Sequence, residues 1–286
     1  MFCGVAALIF ALPRTYAQAA VPSSGSFAAP PGAYAQAQIA RAPMYFNRSP
    51  SGEYAEIIDS TAYLPLRYVC QMLAGRAVEW DPTARAAQIT GGGAAFSMGT
   101  AADYMCVNGR YFYIKDKIFN KDGRMYVSAR LLAKLLCMDI EWDSAARAVM
   151  LTAPEGELAP GDSYYDSTDL YWLSRIIYAE SGGEPFCGQI AVGNVVLNRV
   201  ADPDYPNSIY DVIFDRKYGV QFEPVANGTV YAEPSAEAVI AAKICLEGQN
   251  VAGGSIYFLN EQTAQSKWIV QNREFVKKIG NHTFYC

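Results

Sequence analysis

Apolar positions follow two different periods along the chain. In the last third the period is helical. Leu170, Leu173, Ile176 and Ile177 follow the run Asp166-Ser167-Thr168-Asp169, which is the pattern of an amphipathic helix behind an N-terminal cap. Ser181-Gly182-Gly183 ends that helix. Ile190, Val192, Val195, Val196 and Leu197 then mark a second helix from Gly188 to Val200, with Asn194 and Asn198 one turn apart on a shared face. Upstream, strand-like runs alternate with short helical ones, and they do so twice. Tyr63-Leu64-Pro65-Leu66-Arg67 leads through an apolar helical stretch to Val78-Glu79-Trp80-Asp81 and Arg85. Tyr126-Val127-Ser128-Ala129-Arg130 leads through a similar stretch to Ile140-Glu141-Trp142-Asp143 and Arg147. The paired tyrosines lie 63 residues apart and the paired tryptophans 62, so one residue is deleted in the second helix. Neither copy can bury its apolar face alone, so the two are expected to pack as one unit over residues 42–152. Asn108-Gly109 within it signals a hairpin. Trp80 and Trp142 are read as core residues, with sugar stacking as the alternative.

Other segments lack these periods. Phe2 to Leu12 is almost wholly apolar and runs into Ala17-Gln18-Ala19-Ala20, which resembles the hydrophobic core and cleavage zone of an export signal. Residues 1–19 are therefore expected to be a signal peptide and the protein to be secreted. Residues 20–41 are rich in Ala, Pro, Ser and Gly and read as a linker. Residues 153–165 read as a second linker ahead of a last domain at 166–286.

Composition narrows the chemistry. The net charge is -5, the pI about 5.0, and no basic cluster exceeds Lys277-Lys278, so nucleic acid is not an expected partner. No run beyond the N-terminus is long and apolar enough to span a membrane. His282 is the single histidine, which argues against a zinc centre and leaves any His-dependent triad one candidate. No cofactor or metal is expected. Six of the seven cysteines lie beyond the signal. Cys70 with Cys137, and two of Cys187, Cys245 and Cys286, are possible disulfide partners in an exported chain.

Glu180 stands out. It lies seven residues after Leu173, four after Ile176 and three after Ile177, at the end of the buried stripe and beside a glycine break. A carboxyl against apolar walls holds its proton to higher pH, as a general acid must. The plain alternative is a Glu that pairs with Arg175.

Two resemblances follow from longer motifs. Residues 42–152, with their paired Arg67 and Arg130 and their Glu-Trp-Asp segments, resemble the copper amine oxidase N-terminal-like (stalk) domain. The segment holds no His, so that name implies no copper here. Ala179-Glu180-Ser181-Gly182-Gly183-Glu184-Pro185, Gly188-Gln189-Ile190-Ala191-Val192, Val196-Leu197-Asn198-Arg199-Val200, Gln221-Phe222, Pro234-Ser235, Tyr257-Phe258, Asn260 and Gly280-Asn281-His282-Thr283-Phe284-Tyr285 occur in that order. This C-terminal region resembles the spore cortex-lytic enzyme and cell wall hydrolase family. Gly182, Cys187 and Glu223 depart from residues common there (Arg, Glu and Ser).

The resemblance implies an α+β chain in which the pseudo-repeat domain is followed by a lysozyme-like, mostly helical domain with a small sheet. It implies a lytic transglycosylase that acts on peptidoglycan glycan strands, between N-acetylmuramic acid and N-acetylglucosamine, with Glu180 as the acid. Glu184, Asn198, Gln221, Phe222, Tyr257, Asn260, His282 and Tyr285 are the substrate-binding residues it suggests. The protein is expected to act as a monomer. An amidase, a simple muramidase and a non-catalytic wall-binding protein remain the alternatives.

Overall fold

The protein is described by a computed structural model over residues 40–286, apart from Ala74, Ala94, Glu155, Tyr218, Gln265 and Ser266. The expected signal peptide at 1–19, and the expected linker up to residue 39, lie outside the described residues.

The N-terminal module opens with strands β1 (Ala40–Phe46) and β2 (Ser49–Ile58). The first repeat copy is β3 (Thr61–Pro65), α1 (Leu66–Met72), β4 (Ala77–Asp81) and β5 (Ala86–Thr90). Strands β6 (Phe96–Gly99), β7 (Tyr104–Val107), β8 (Arg110–Tyr113) and β9 (Ile118–Lys121) follow. The second copy is β10 (Arg124–Ser128), α2 (Ala129–Leu136), β11 (Asp139–Asp143) and β12 (Ala148–Thr152). The copies match closely: β4 and β11 have the same in-out pattern of burial, as do β5 and β12. Seven strands form one sheet in the order β11-β12-β1-β2-β3-β10-β9, antiparallel except for the parallel pair of β1 and β12. The β7–β8 hairpin turns on Asn108 and Gly109, both at positive φ.

The Glu-Trp-Asp repeat has a turn-forming role rather than a core one. Asp81 Oδ1 accepts hydrogen bonds from the backbone of Thr83 and Ala84, and Asp143 Oδ1 from Ala145 and Ala146, so each Asp closes the hairpin behind its strand. The expectation that both tryptophans are core residues is corrected. Trp80 is 49% and Trp142 50% exposed, because each sits at the turn end of a short hairpin, one residue before the Asp that closes it.

The second region is mostly helical: α3 (Gly161–Tyr164), α4 (Ser167–Ser181), α5 (Phe186–Ala201), α6 (Ile209–Ile213), α7 (Glu223–Asn227), a 3₁₀ turn at Thr229–Tyr231, and α8 (Ala236–Leu246). Strand β13 (Tyr257–Leu259), α9 (Trp268–Asn272), β14 (Phe275–Ile279) and β15 (His282–Tyr285) complete it, with an antiparallel sheet ordered β13-β15-β14. Asp166 caps α4 by accepting from the backbone of Thr168 and Asp169. Helices α4, α5 and α8 pack around Gly193, where an added Cβ would lie 2.7 Å from Cys245 Sγ and 2.8 Å from Ile177 Cδ1. Any side chain there would force the helices apart.

The six described cysteines are free, so neither expected disulfide forms. Cys70 is buried inside α1, whereas Cys137 is the half-exposed left-handed cap of α2. Cys245 is fully buried and its Sγ–H donates to the Ile190 carbonyl at 3.3 Å.

The stretch 153–165 carries Leu158, buried in the first core, and α3, where Gly161 packs on Gly109. Beside it three cations of the N-terminal module meet the C-terminal end of α8. Arg110 makes a two-pronged pair with Glu247, both contacts at 2.7 Å and both side chains buried. The Tyr165 hydroxyl donates to the same carboxylate at 2.9 Å, and the Tyr164 ring stacks on the guanidinium at 3.4 Å. Lys134 Nζ donates to the Glu247 carbonyl and Lys117 Nζ to the Gln249 side chain. Positive groups at a helix C-terminus also meet the negative end of its dipole. Burial pulls the Lys117 ammonium down to about 8. Among the described residues no helix is long and apolar enough to cross a membrane.

Candidate active site

The buried stripe of α4 runs through Leu173, Ile176 and Ile177, all fully buried. The next position on that stripe is Glu180, where the helix leaves the core. It opens into a cleft of about 460 Å³. From α5 comes Arg199; from the segment before α7 come Gln221 and Phe222, and from α7 itself Glu223. The sheet contributes Tyr257 and His282, the following loop Asn260, and α9 Trp268.

Glu180 is partly buried, and its carboxyl is pushed up to about 7. Burial is the main cause, the like charge of Glu223 adds to it, and Arg199 opposes both. A carboxyl that titrates near neutral pH carries a proton it can give to a leaving oxygen. Arg175, the alternative partner for Glu180, is engaged elsewhere and pairs with Glu233 at 2.6 Å.

Arg199 is 5% exposed. Its Nε donates to the Ile256 carbonyl at 2.8 Å, and its guanidinium lies 5.1 to 5.7 Å from the rings of Phe222, Tyr205 and Tyr257. It forms no ion pair among the described residues. Burial lowers its pKa, and Tyr205, Tyr257, Asp215 and Glu180 counter that. The cleft therefore carries a fixed cation and a second carboxylate besides the acid.

The expected site residues divide into two groups. Gln221, Phe222, Tyr257, Asn260 and His282 line the same cleft as Glu180. The Tyr257 hydroxyl accepts from Arg273 at 2.8 Å, which fixes its ring. His282 is nearly buried on Phe258, at 5.1 Å between rings, and burial lowers its pKa.

Glu184, Asn198 and Tyr285 do not line the cleft. Burial would raise the Glu184 carboxyl, but two hydrogen bonds from Asn281, at 2.8 and 2.9 Å, hold it below the usual range. It anchors the turn into β15. The Asn198 amide donates to the carbonyls of Gly253 and Ser255, both at 2.8 Å. Asn194, on the same face, binds Gln249 and Val251. Both asparagines therefore tie down the loop after α8. Tyr285 is 3% exposed and donates to Glu261 at 2.8 Å.

Arg199, Glu223 and Trp268 were not foreseen as site residues. Arg199 stands inside a motif already noted, and Glu223 is itself a departure from the related pattern; Trp268 has no sequence signal. Among the described residues no group of three or more His, Cys, Asp or Glu could hold a metal ion.

The cell wall hydrolase family model matches residues 183–285, starting three residues after Glu180. The copper amine oxidase N-terminal domain model matches residues 47–151. Spore cortex-lytic enzymes of Bacillus cereus and Bacillus subtilis are 39% and 36% identical over 120 residues, 42% of this chain and 45% and 38% of those proteins. The chain thus spans less than half the length of these curated relatives. The solved catalytic domain of the germination-specific lytic transglycosylase SleB from Bacillus anthracis is 38% identical. The similarity covers all of that domain and 45% of this chain, with a TM-score of 0.40. The C-terminal region belongs to the cell wall hydrolase family. The catalytic domain of Bacillus cereus SleB is also 38% identical over 92% of its length, with a TM-score of 0.39.

In this cell wall hydrolase region Glu223 stands close enough to Glu180 to raise its pKa, so Glu223→Ser is expected to lower it. The alkaline limb of the pH–rate profile on peptidoglycan moves to lower pH. An unmoved limb would show that Glu223 does not act on the acid.

Proposed function

We propose that this protein cuts the glycan strands of peptidoglycan between N-acetylmuramic acid and N-acetylglucosamine. Glu180 protonates the leaving glycosidic oxygen. Then, as a carboxylate, it takes the proton from the muramyl 6-hydroxyl, which closes on the anomeric carbon and gives a 1,6-anhydro end. The observation that carries this reading is a carboxyl at the mouth of the core, half withdrawn from water and protonated to about pH 7, in a cleft lined by aromatic and amide side chains. One placed acid suffices for this sequence, because the substrate supplies the nucleophile. The names borne by the relatives point the same way. No step calls for a cofactor. Trp268, Phe222 and Tyr257 offer ring faces to sugar, and Gln221 and Asn260 offer amides.

The N-terminal module, residues 42–152, we take to hold or position the lytic domain at the wall. The apolar N-terminal run supports export ahead of it, and the enzyme works as a monomer outside the membrane, on spore cortex or other wall material.

Glu223 favours one second reading. It is another carboxylate in the cleft, and two carboxyls are what hydrolysis by water uses. Mass spectrometry of digests of purified peptidoglycan separates the two. Anhydro-muramic ends are expected. Free reducing ends would assign the reaction to hydrolysis, and cleavage of peptide bonds alone would overturn the glycan reading.

A further inference from the structure

Away from the cleft, the surface formed by α4, α6 and the 3₁₀ turn carries five aromatic rings in mutual contact. Trp172 lies at the centre. Its ring centroid is 4.9 Å from Tyr171, 5.3 Å from Tyr210, 5.0 Å from Phe214 and 6.0 Å from Tyr231. Trp172 and Phe214 pack down on the core, which makes the cluster rigid. The three tyrosines stand out of it, 44%, 45% and 60% exposed at Tyr171, Tyr210 and Tyr231. None of their hydroxyls is hydrogen-bonded among the described residues. A contiguous exposed aromatic surface of this kind is uncommon on a soluble protein and marks a binding face.

Its charge says what it binds. Arg175, the cation in the patch, stacks on Tyr171 at 3.7 Å and is paired with Glu233. Asp211, on α6, accepts from the Ser208 hydroxyl at 2.6 Å. The guanidinium that lies on these rings is thus already neutralised, which disfavours it as an anchor for a phosphate backbone or an anionic lipid surface. Fixed rings with free hydroxyls at their rims match a sugar, which has an apolar C–H face and a rim of hydroxyls and amides. The patch and the cleft share helix α4. Trp172 precedes Glu180 by eight residues, about 12 Å along the helix, a separation that one strand of a few sugars bridges.

We propose that this five-ring platform is a second glycan-binding site, which holds a stretch of polysaccharide strand by its sugar faces outside the cleft where the strand is cut. The proposal rests on the glycan-cutting reading above. The platform keeps the enzyme on an insoluble polymer between cuts, since a single cleft releases the strand at each product.

The test uses the full chain carrying Glu180→Gln, so that binding is measured without digestion. Sedimentation with purified insoluble sacculi gives its affinity, and Tyr210→Ser with Tyr231→Ser is then added. Both tyrosines are exposed, and an unchanged melting temperature checks the fold. A drop in affinity of about tenfold or more is expected, on intact sacculi and equally on glycan strands stripped of their peptides. Unchanged affinity on both overturns the proposal. A loss seen on intact sacculi but not on stripped strands also overturns it, and assigns the patch to the peptide stems. Absence of glycan products from the wild type would instead overturn the lytic reading and leave this binding result standing.

Discussion

Glu180→Gln is expected to abolish most of the proposed lytic activity and to make the protein more stable at pH 8. The rate on peptidoglycan falls by roughly 10²–10⁴-fold, the contribution of a placed general acid, because the amide keeps the shape but has no proton to give. The gain in stability follows from the same burial. The carboxyl titrates near 4.5 in the unfolded chain and at about 7 in the fold. Its burial costs nothing below pH 4.5; the cost grows as pH rises through that interval and is complete above 7. Two and a half pH units correspond to about 3 kcal/mol. The variant should therefore melt well above the wild type at pH 8, and the two should converge near pH 4.5. The wild-type rate is expected to fall as pH rises through about 7, since the proton is then lost before the substrate arrives. A variant that digests peptidoglycan at near-normal rate would place the acid elsewhere, and equal melting at all pH values would show that the carboxyl is not desolvated.

Arg110→Met is expected to cost about 3–5 kcal/mol, the usual penalty for leaving one partner of a buried ion pair without the other. Glu247 would keep its hydrogen bond from Tyr165 but lose both prongs of the guanidinium. Tyr164 would lose the cation beneath its ring. Denaturant unfolding measures the loss. Adding Glu247→Leu should recover most of it, because a pair replaced on both sides by apolar groups leaves no orphan charge. A loss under about 1 kcal/mol in the single variant would mean that water reaches the pair in solution.

Residues whose role is set by local spacing were legible from the sequence. The two repeat copies, the Asp166 cap, the Asn108-Gly109 turn and the position of Glu180 at the end of an apolar stripe all follow from periods of two and 3.6. Residues whose role depends on what the chain brings from afar were not. Trp80 and Trp142 look like core because Trp is large and apolar, and only the folded hairpins show them exposed beside their turns. Asn198 looks like a ligand contact until the 249–255 loop, some fifty residues on, takes up its amide. Glu184 sits in the same motif as the acid, but its charge is spent on Asn281. Arg199 reads as an ordinary helical arginine, and its burial under three rings comes from separate segments. The cysteines show the limit of counting, since a matching position along two helices says nothing about depth.

The parallel pairing of β1 with β12 sets an order of events for a chain made from its N-terminus. Met44 lies beside Val149 and Phe46 beside Leu151, so the first strand waits for about a hundred further residues before the central sheet can close. Contacts of such long range form late and slowly. Arg110 waits longer still, for Glu247. Until then the module has an unpaired cation at the face it will bury and an unpaired strand edge at β1. Such intermediates tend to associate. The last turn of α8 therefore completes the N-terminal module as much as its own.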